Sequence, residues 1–73
     1  MAYKVIVNRD LDEFYSEVTL SLYHTSIFGG TLLYSKTFED NKALSQSYSE
    51  ETFYKKDKAL EVYSTYNKLL TNN

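Results

Sequence analysis

A chain of 73 residues with no cysteine, one histidine and a net charge of −2 forms at most one small domain, with neither disulfides nor thiolate-bound zinc to hold it together. The acidic balance and the single arginine, Arg9, weigh against general nucleic-acid affinity, which depends on neutralising phosphates with Lys and Arg. Eight Tyr and four Phe exceed what so small a core needs, so some belong on the surface, and Tyr is enriched at interfaces.

Ala2 to Asn8 alternates. Tyr3, Val5 and Val7 point one way, Lys4 and Ile6 the other, and Val-Ile-Val is β-branched, which predicts a strand. The run is too short for the apolar part of a secretory signal, and no apolar run reaches membrane-spanning length. A cytoplasmic protein is the expectation.

Arg9 to Ser16, RDLDEFYS, is the first connection. Asp10 followed by Glu13 matches a capping box. The length suits an acidic hairpin loop between antiparallel strands, and that reading is preferred. Asp10, Asp12, Glu13 and Glu17 stand here beside Phe14 and Tyr15. Carboxylates steer a basic partner and aromatics anchor it. Asp10-Leu11-Asp12-Glu13 lacks the mid-loop Gly and the spaced bidentate Glu of a calcium loop, so no metal is expected.

Glu17 to His24 is the cleanest strand. Val18, Leu20 and Leu22 face a core, while Thr19, Ser21 and Tyr23 face out, the pattern of an antiparallel sheet with one wet side. His24 is the only histidine and reads as a strand-end residue. A hydrolase triad needs three groups in contact, and adjacency to Thr25 and Ser26 does not supply that.

Ile27-Phe28-Gly29-Gly30 reads as the turn, with Gly-Gly supplying the positive φ of a tight hairpin, followed by a strand over Thr31 to Phe38; a strict two-residue turn at Gly29-Gly30 is the first register to test. A strict turn there sets Leu22 against Thr37 and puts Ser35 and Thr37 on the core side. One residue of slip exchanges the faces. An odd-length loop or a β-bulge near Phe28 is therefore predicted, with Leu32, Tyr34 and Phe38 facing the core.

Glu39 to Asn41 is turn chemistry, and Asn41 to Ser47 predicts a short helix with Leu44 inward. Ser47 and Glu50 match a second capping box that restarts the helix at Tyr48. The alternative for Glu50 to Lys56 is a fourth strand. Lys55, Lys56 and Lys58 adjoin Phe53 and Tyr54, a basic and aromatic patch of the kind that meets nucleic acid. Finally, Asp57 to Leu70 predicts an amphipathic helix, with Ala59, Val62, Tyr63, Tyr66, Leu69 and Leu70 on its apolar face.

The expected fold is one α+β domain over residues 1–73. A three-stranded antiparallel meander is covered on one face by the C-terminal helix, with a possible short helix before it. No catalytic or cofactor motif is present. Gly29-Gly30 does not precede a helix as a phosphate loop would, and Glu50 and Glu51 are sequence neighbours rather than a facing pair.

The function expected is therefore a non-enzymatic protein-binding module. A composition rich in Lys, Tyr, Asn and Ser, with one Arg, fits an AT-rich gene from a phage or mobile element. An inhibitor of a host factor, such as a nuclease-based defence system, is the corresponding biology. Its contact residues are expected among Asp10, Asp12, Glu13, Phe14, Tyr15, Glu17, Tyr23, Phe53, Tyr54, Lys55 and Lys56. The alternatives are nucleic-acid binding through the basic patch, and homo-oligomerisation through an unpaired edge strand at Ala2–Asn8 or Thr31–Phe38.

Overall fold

A computed structural model describes residues 1–12, 14–39 and 46–71. Strands β1 (Ala2–Leu11), β2 (Ser16–Ser26), β3 (Gly29–Glu39) and β4 (Ser47–Phe53) are followed by helix α1 (Lys56–Thr71). The architecture is α+β. The four strands form one antiparallel sheet in the order β3-β2-β1-β4, and α1 packs across β2, β1 and β4. Among the described residues no helix is long and apolar enough to cross a membrane.

Alternation in β1 and β2 builds the core as the sequence predicts. Val5, Leu20, Leu22 and Ala59 are fully buried, and Val7, Val18 and Leu70 complete the cluster. Tyr3, Phe38, Phe53, Leu60, Val62, Tyr63 and Tyr66 pack around it. Burying a Val or Leu side chain stabilises by about 1.5–3 kcal/mol, so these seven residues supply much of the driving force. On α1, Leu69 is 63% exposed and Leu60 packs inward in its place. Leu69 lies a ~100° turn from Leu70, which carries it off the sheet and to the side of the helix.

The three-strand expectation is corrected to four. Ser47–Phe53 is a strand, not the restart of a helix at Tyr48. The short helix expected over Asn41 to Ser47 falls mostly on residues 40–45, which lie outside the described residues; Ser47 itself begins β4. The physical reason for the fourth strand lies in β1. Its backbone is buried between neighbours and needs hydrogen bonds on both sides. β4 supplies the second set, pairing Phe53 with Tyr3 and Ser47 with Arg9. Ala2–Asn8 is therefore a central strand, not an edge available to a second copy. The helix-side row of β4 is Ser49, Glu51 and Phe53, largely polar, so no apolar period advertised it.

The β2–β3 hairpin turns at Ile27-Phe28, the first half of the expected Ile27–Gly30 turn, and Gly29-Gly30 already belong to β3, with Ser26 opposite Gly29. The Phe28 amide donates to Ser26 Oγ at 3.2 Å, and Gly29 takes φ +121°, a conformation open to glycine. The expected bulge exists, but it lies at Leu33. Leu22 opposes Tyr34 while Tyr23 opposes Leu32. From Tyr34 onward the strand has exchanged faces. Tyr34, Lys36 and Phe38 lie on the helix side, opposite Leu22, Leu20 and Val18. Ser35 and Thr37 turn outward, where their hydroxyls meet Ser21 and Thr19 at 3.4 and 3.3 Å. Leu32 precedes the shift, so it opposes Tyr23 on the outer face and is 51% exposed rather than core-facing.

Candidate functional site

The strands run along a body of 38 × 24 × 15 Å, and the expected contact residues separate to its two ends. They do not form one surface. At one end, β1 and β2 are joined by a tight loop closed by the Asp12 amide donating to the Tyr15 carbonyl at 2.8 Å. The expected wide loop over RDLDEFYS is thus shorter than predicted, because Arg9, Asp10 and Leu11 continue β1 and Ser16 begins β2. The register then does something the linear sequence hides. Asp10 lies opposite Glu17, and Glu17 lies opposite Glu39. All three fall on the outer face, in one row across β1, β2 and β3. Directly opposed side chains in an antiparallel sheet stand about 4.5–5.5 Å apart at Cβ, and like charges so placed destabilise.

Aromatic and aliphatic side chains rim this row. Phe14 is 87% exposed, and Tyr15 and Leu11 are exposed beside it. Asp12 sits in the same loop. Glu13 lies outside the described residues. The Gln46 side chain donates to the Leu11 carbonyl at 3.4 Å, tying the start of β4 to this end.

The opposite end is apolar and basic. Ile27 and Phe28, at the hairpin tip, are each 93% exposed, and Met1 and Tyr54 are nearly as open. Lys55 and Lys56 follow Tyr54 into α1 and are exposed, and Lys58 pairs with Glu61 at 3.8 Å. Phe53 is partly buried against the core opposite Tyr3. Tyr23 lies on the outer face as expected, half-buried between Lys4 and Leu32.

His24 is half-buried and its ring stacks on Tyr3 with centroids 4.7 Å apart. Its Nε2 is buried without a hydrogen-bond partner among the described residues. Among those residues no three His, Cys, Asp or Glu side chains gather as a metal site requires. A shallow groove of about 300 Å³ runs between α1 and β4, lined by Glu51, Glu61, Val62, Thr65, Tyr66 and Leu69. Along it the Tyr66 hydroxyl donates to Glu51 Oε1 at 2.6 Å. That bond to a carboxylate, then partial burial, raises the Tyr66 pKa above its ordinary value.

Sequence reasoning missed Glu39, because only the register brings it beside Glu17, which lies 22 positions earlier in the chain. It also missed Ile27 and Phe28 as surface features. Two large apolar residues in a turn were the available signal. Compared with known protein families, curated proteins and solved structures, the chain matches none.

Proposed function

We propose that the chain is a stoichiometric protein-binding module whose acidic end docks on a basic surface of another protein. One observation carries the reading: Asp10, Glu17 and Glu39 oppose one another across three strands, at the end where Phe14 and Tyr15 stand exposed. Three opposed carboxylates cost folding energy in the isolated chain. A cationic surface removes that cost on binding, while the aromatic rings supply the apolar anchors that concentrate binding energy.

A line of carboxylates across neighbouring strands also presents successive negative charges, as a nucleic-acid backbone does. The partner surface it fits best is one that holds nucleic acid. The biology we assign is inhibition of a nucleic-acid-handling host factor, such as a nuclease-based defence system, in the cytoplasm of the host. A phage or mobile-element source rests on composition alone.

The test is affinity capture from host lysate, followed by competition. The captured protein is expected to be released by DNA or RNA and by raised salt, and to be lost with an Asp10→Asn, Glu17→Gln, Glu39→Gln variant. A partner indifferent to all three treatments overturns the reading. So does direct binding of nucleic acid by the chain itself at low salt, which would move function to Lys55 and Lys56.

A further inference from the structure

Among the described residues the sheet has two open edges, and they are protected very differently. β4 is seven residues long and carries Glu50 and Glu51 at its centre. Glu50 is held by Lys4 at 3.6 Å and Glu51 by Tyr66 at 2.6 Å. Short length and charge are the usual devices that keep an edge from pairing. β3 is less protected: it is eleven residues long, with one bulge at Leu33 and a single charge, Lys36, before the terminal Glu39. The Lys36 ammonium lies over the Phe38 ring, 4.9 Å from its centroid, on the helix side of the sheet. Leu32, Leu33 and Tyr34 are all exposed at the middle of the strand. Helix α1 packs on the other three strands, and reaches β3 through Tyr63, whose ring tilts against Tyr34 at 5.9 Å.

We infer that β3 pairs antiparallel with β3 of a second copy of this chain, across a two-fold axis, giving one continuous eight-stranded sheet. An open strand edge presents a row of backbone donors and acceptors, so its natural occupant is another strand. A foreign strand satisfies that edge and creates a new one. A second copy satisfies both β3 edges at once and leaves only the two protected β4 edges outside, which is a closed assembly.

Charge selects the direction. A parallel arrangement sets Glu39 against Glu39 of the partner, adding to the carboxylate row already formed with Glu17 and Asp10. The antiparallel arrangement carries each Glu39 toward the acid-free Gly29–Thr31 end of the other copy. A standard interface of about 800 Å² per partner is a modest part of the 5306 Å² the single chain exposes. Asp10 lies two strands from this edge and Glu17 one, so the dimer leaves those two carboxylates open to a different protein.

The experiment is light scattering on the purified chain across micromolar to millimolar concentration, combined with cross-linking. The chain has no cysteine, so single substitutions report cleanly. A dimer is expected, and Ser35→Cys, which this register places beside the two-fold axis, should become covalently dimeric on oxidation while Ser49→Cys on β4 does not. Leu33→Lys should raise the dimer dissociation constant at least tenfold with unchanged circular dichroism. If that variant does not fold, the cysteine pairs decide. A parent chain that stays monomeric at millimolar concentration overturns the inference. So does a dimer that cross-links through Ser49→Cys or survives Leu33→Lys intact.

Discussion

The Tyr66 hydroxyl on α1 donates a 2.6 Å hydrogen bond to Glu51 on β4, joining the helix to the strand that the sequence hid most effectively. Glu51 lies opposite fully buried Val5, on the helix side of the sheet. A carboxylate there needs a donor, and Tyr66 is it. Tyr66→Phe is expected to lower stability by about 1 kcal/mol, the scale of a partly exposed bond to a charged group, as read from urea unfolding at pH 7.

The same pair sets an alkaline limit. The Tyr66 pKa is raised in the folded chain, first by its bond to Glu51 and then by burial. Tyr63 is raised too, first by burial and then by Tyr34. A raised tyrosine pKa means that the folded state favours the protonated phenol. Its contribution is whole below the ordinary value of about 10 and is lost as pH climbs through the higher folded value. The stability gap between the parent and Tyr66→Phe should therefore narrow above pH ~10. A gap that stays constant through that range counts against the assignment.

Gly29 and Gly30 should respond differently to alanine. Gly29 sits at φ +121°, where a Cβ meets no neighbour but the backbone itself resists. Gly29→Ala is expected to cost about 1–3 kcal/mol. Gly30→Ala places its Cβ no closer than 3.8 Å to any neighbour and should lie within about 0.5 kcal/mol of the parent. Thermal unfolding of the two variants side by side checks this.

The bulge makes a deletion prediction. Removing Leu33 makes Leu32 opposite Tyr23 and Tyr34 opposite Leu22 consecutive rungs of a regular ladder, with every other pair kept. That variant should fold, within about 1 kcal/mol of the parent. Removing Thr37 instead moves Phe38 to the outer face, away from its place opposite Val18, and should cost about 1 kcal/mol more. Equal stability of the two deletions would contradict the register.

Leu22 is fully buried at the centre of the core. Leu22→Ala is expected to cost about 2–5 kcal/mol through lost burial and the cavity left behind. A single core of this size holds only about 3–5 kcal/mol, so the variant should be largely unfolded at 25 °C by circular dichroism. A cooperative transition close to that of the parent would show that the helix and sheet are held by something other than this core.

Stability and binding should trade against each other at Glu17. Glu17→Gln removes the middle charge from the Asp10–Glu17–Glu39 row and is expected to stabilise the chain by a few tenths of a kcal/mol, about the size of a cross-strand like-charge pair. The same change should weaken partner capture and flatten its dependence on salt. Unfolding and capture measured on one preparation test both halves.

Local chemistry determined a good part of this protein. The alternation of Val5 and Val7, and of Val18, Leu20 and Leu22, assigns two strands and their inward faces, because side chains along a strand repeat every second residue. The period of Ala59, Tyr63, Tyr66 and Leu70 assigns the helix in the same way. The need for an offset in the third strand was also legible, since a strict Gly29-Gly30 turn sets Ser35 and Thr37 on the face of Leu20 and Leu22 and sends Leu32, Tyr34 and Phe38 to the other.

What tertiary structure alone decided concerns pairing over distance. The bulge lies at Leu33 rather than near Phe28, because hydroxyl and apolar partners on β2 jointly choose where the slip is absorbed. Ser47–Phe53 became a strand because β1 needed a second partner for its backbone, a demand that no residue between Ser47 and Phe53 records. The acidic end exists only through register. Asp10, Glu17 and Glu39 are three scattered charges in the chain, and two antiparallel ladders make them one row.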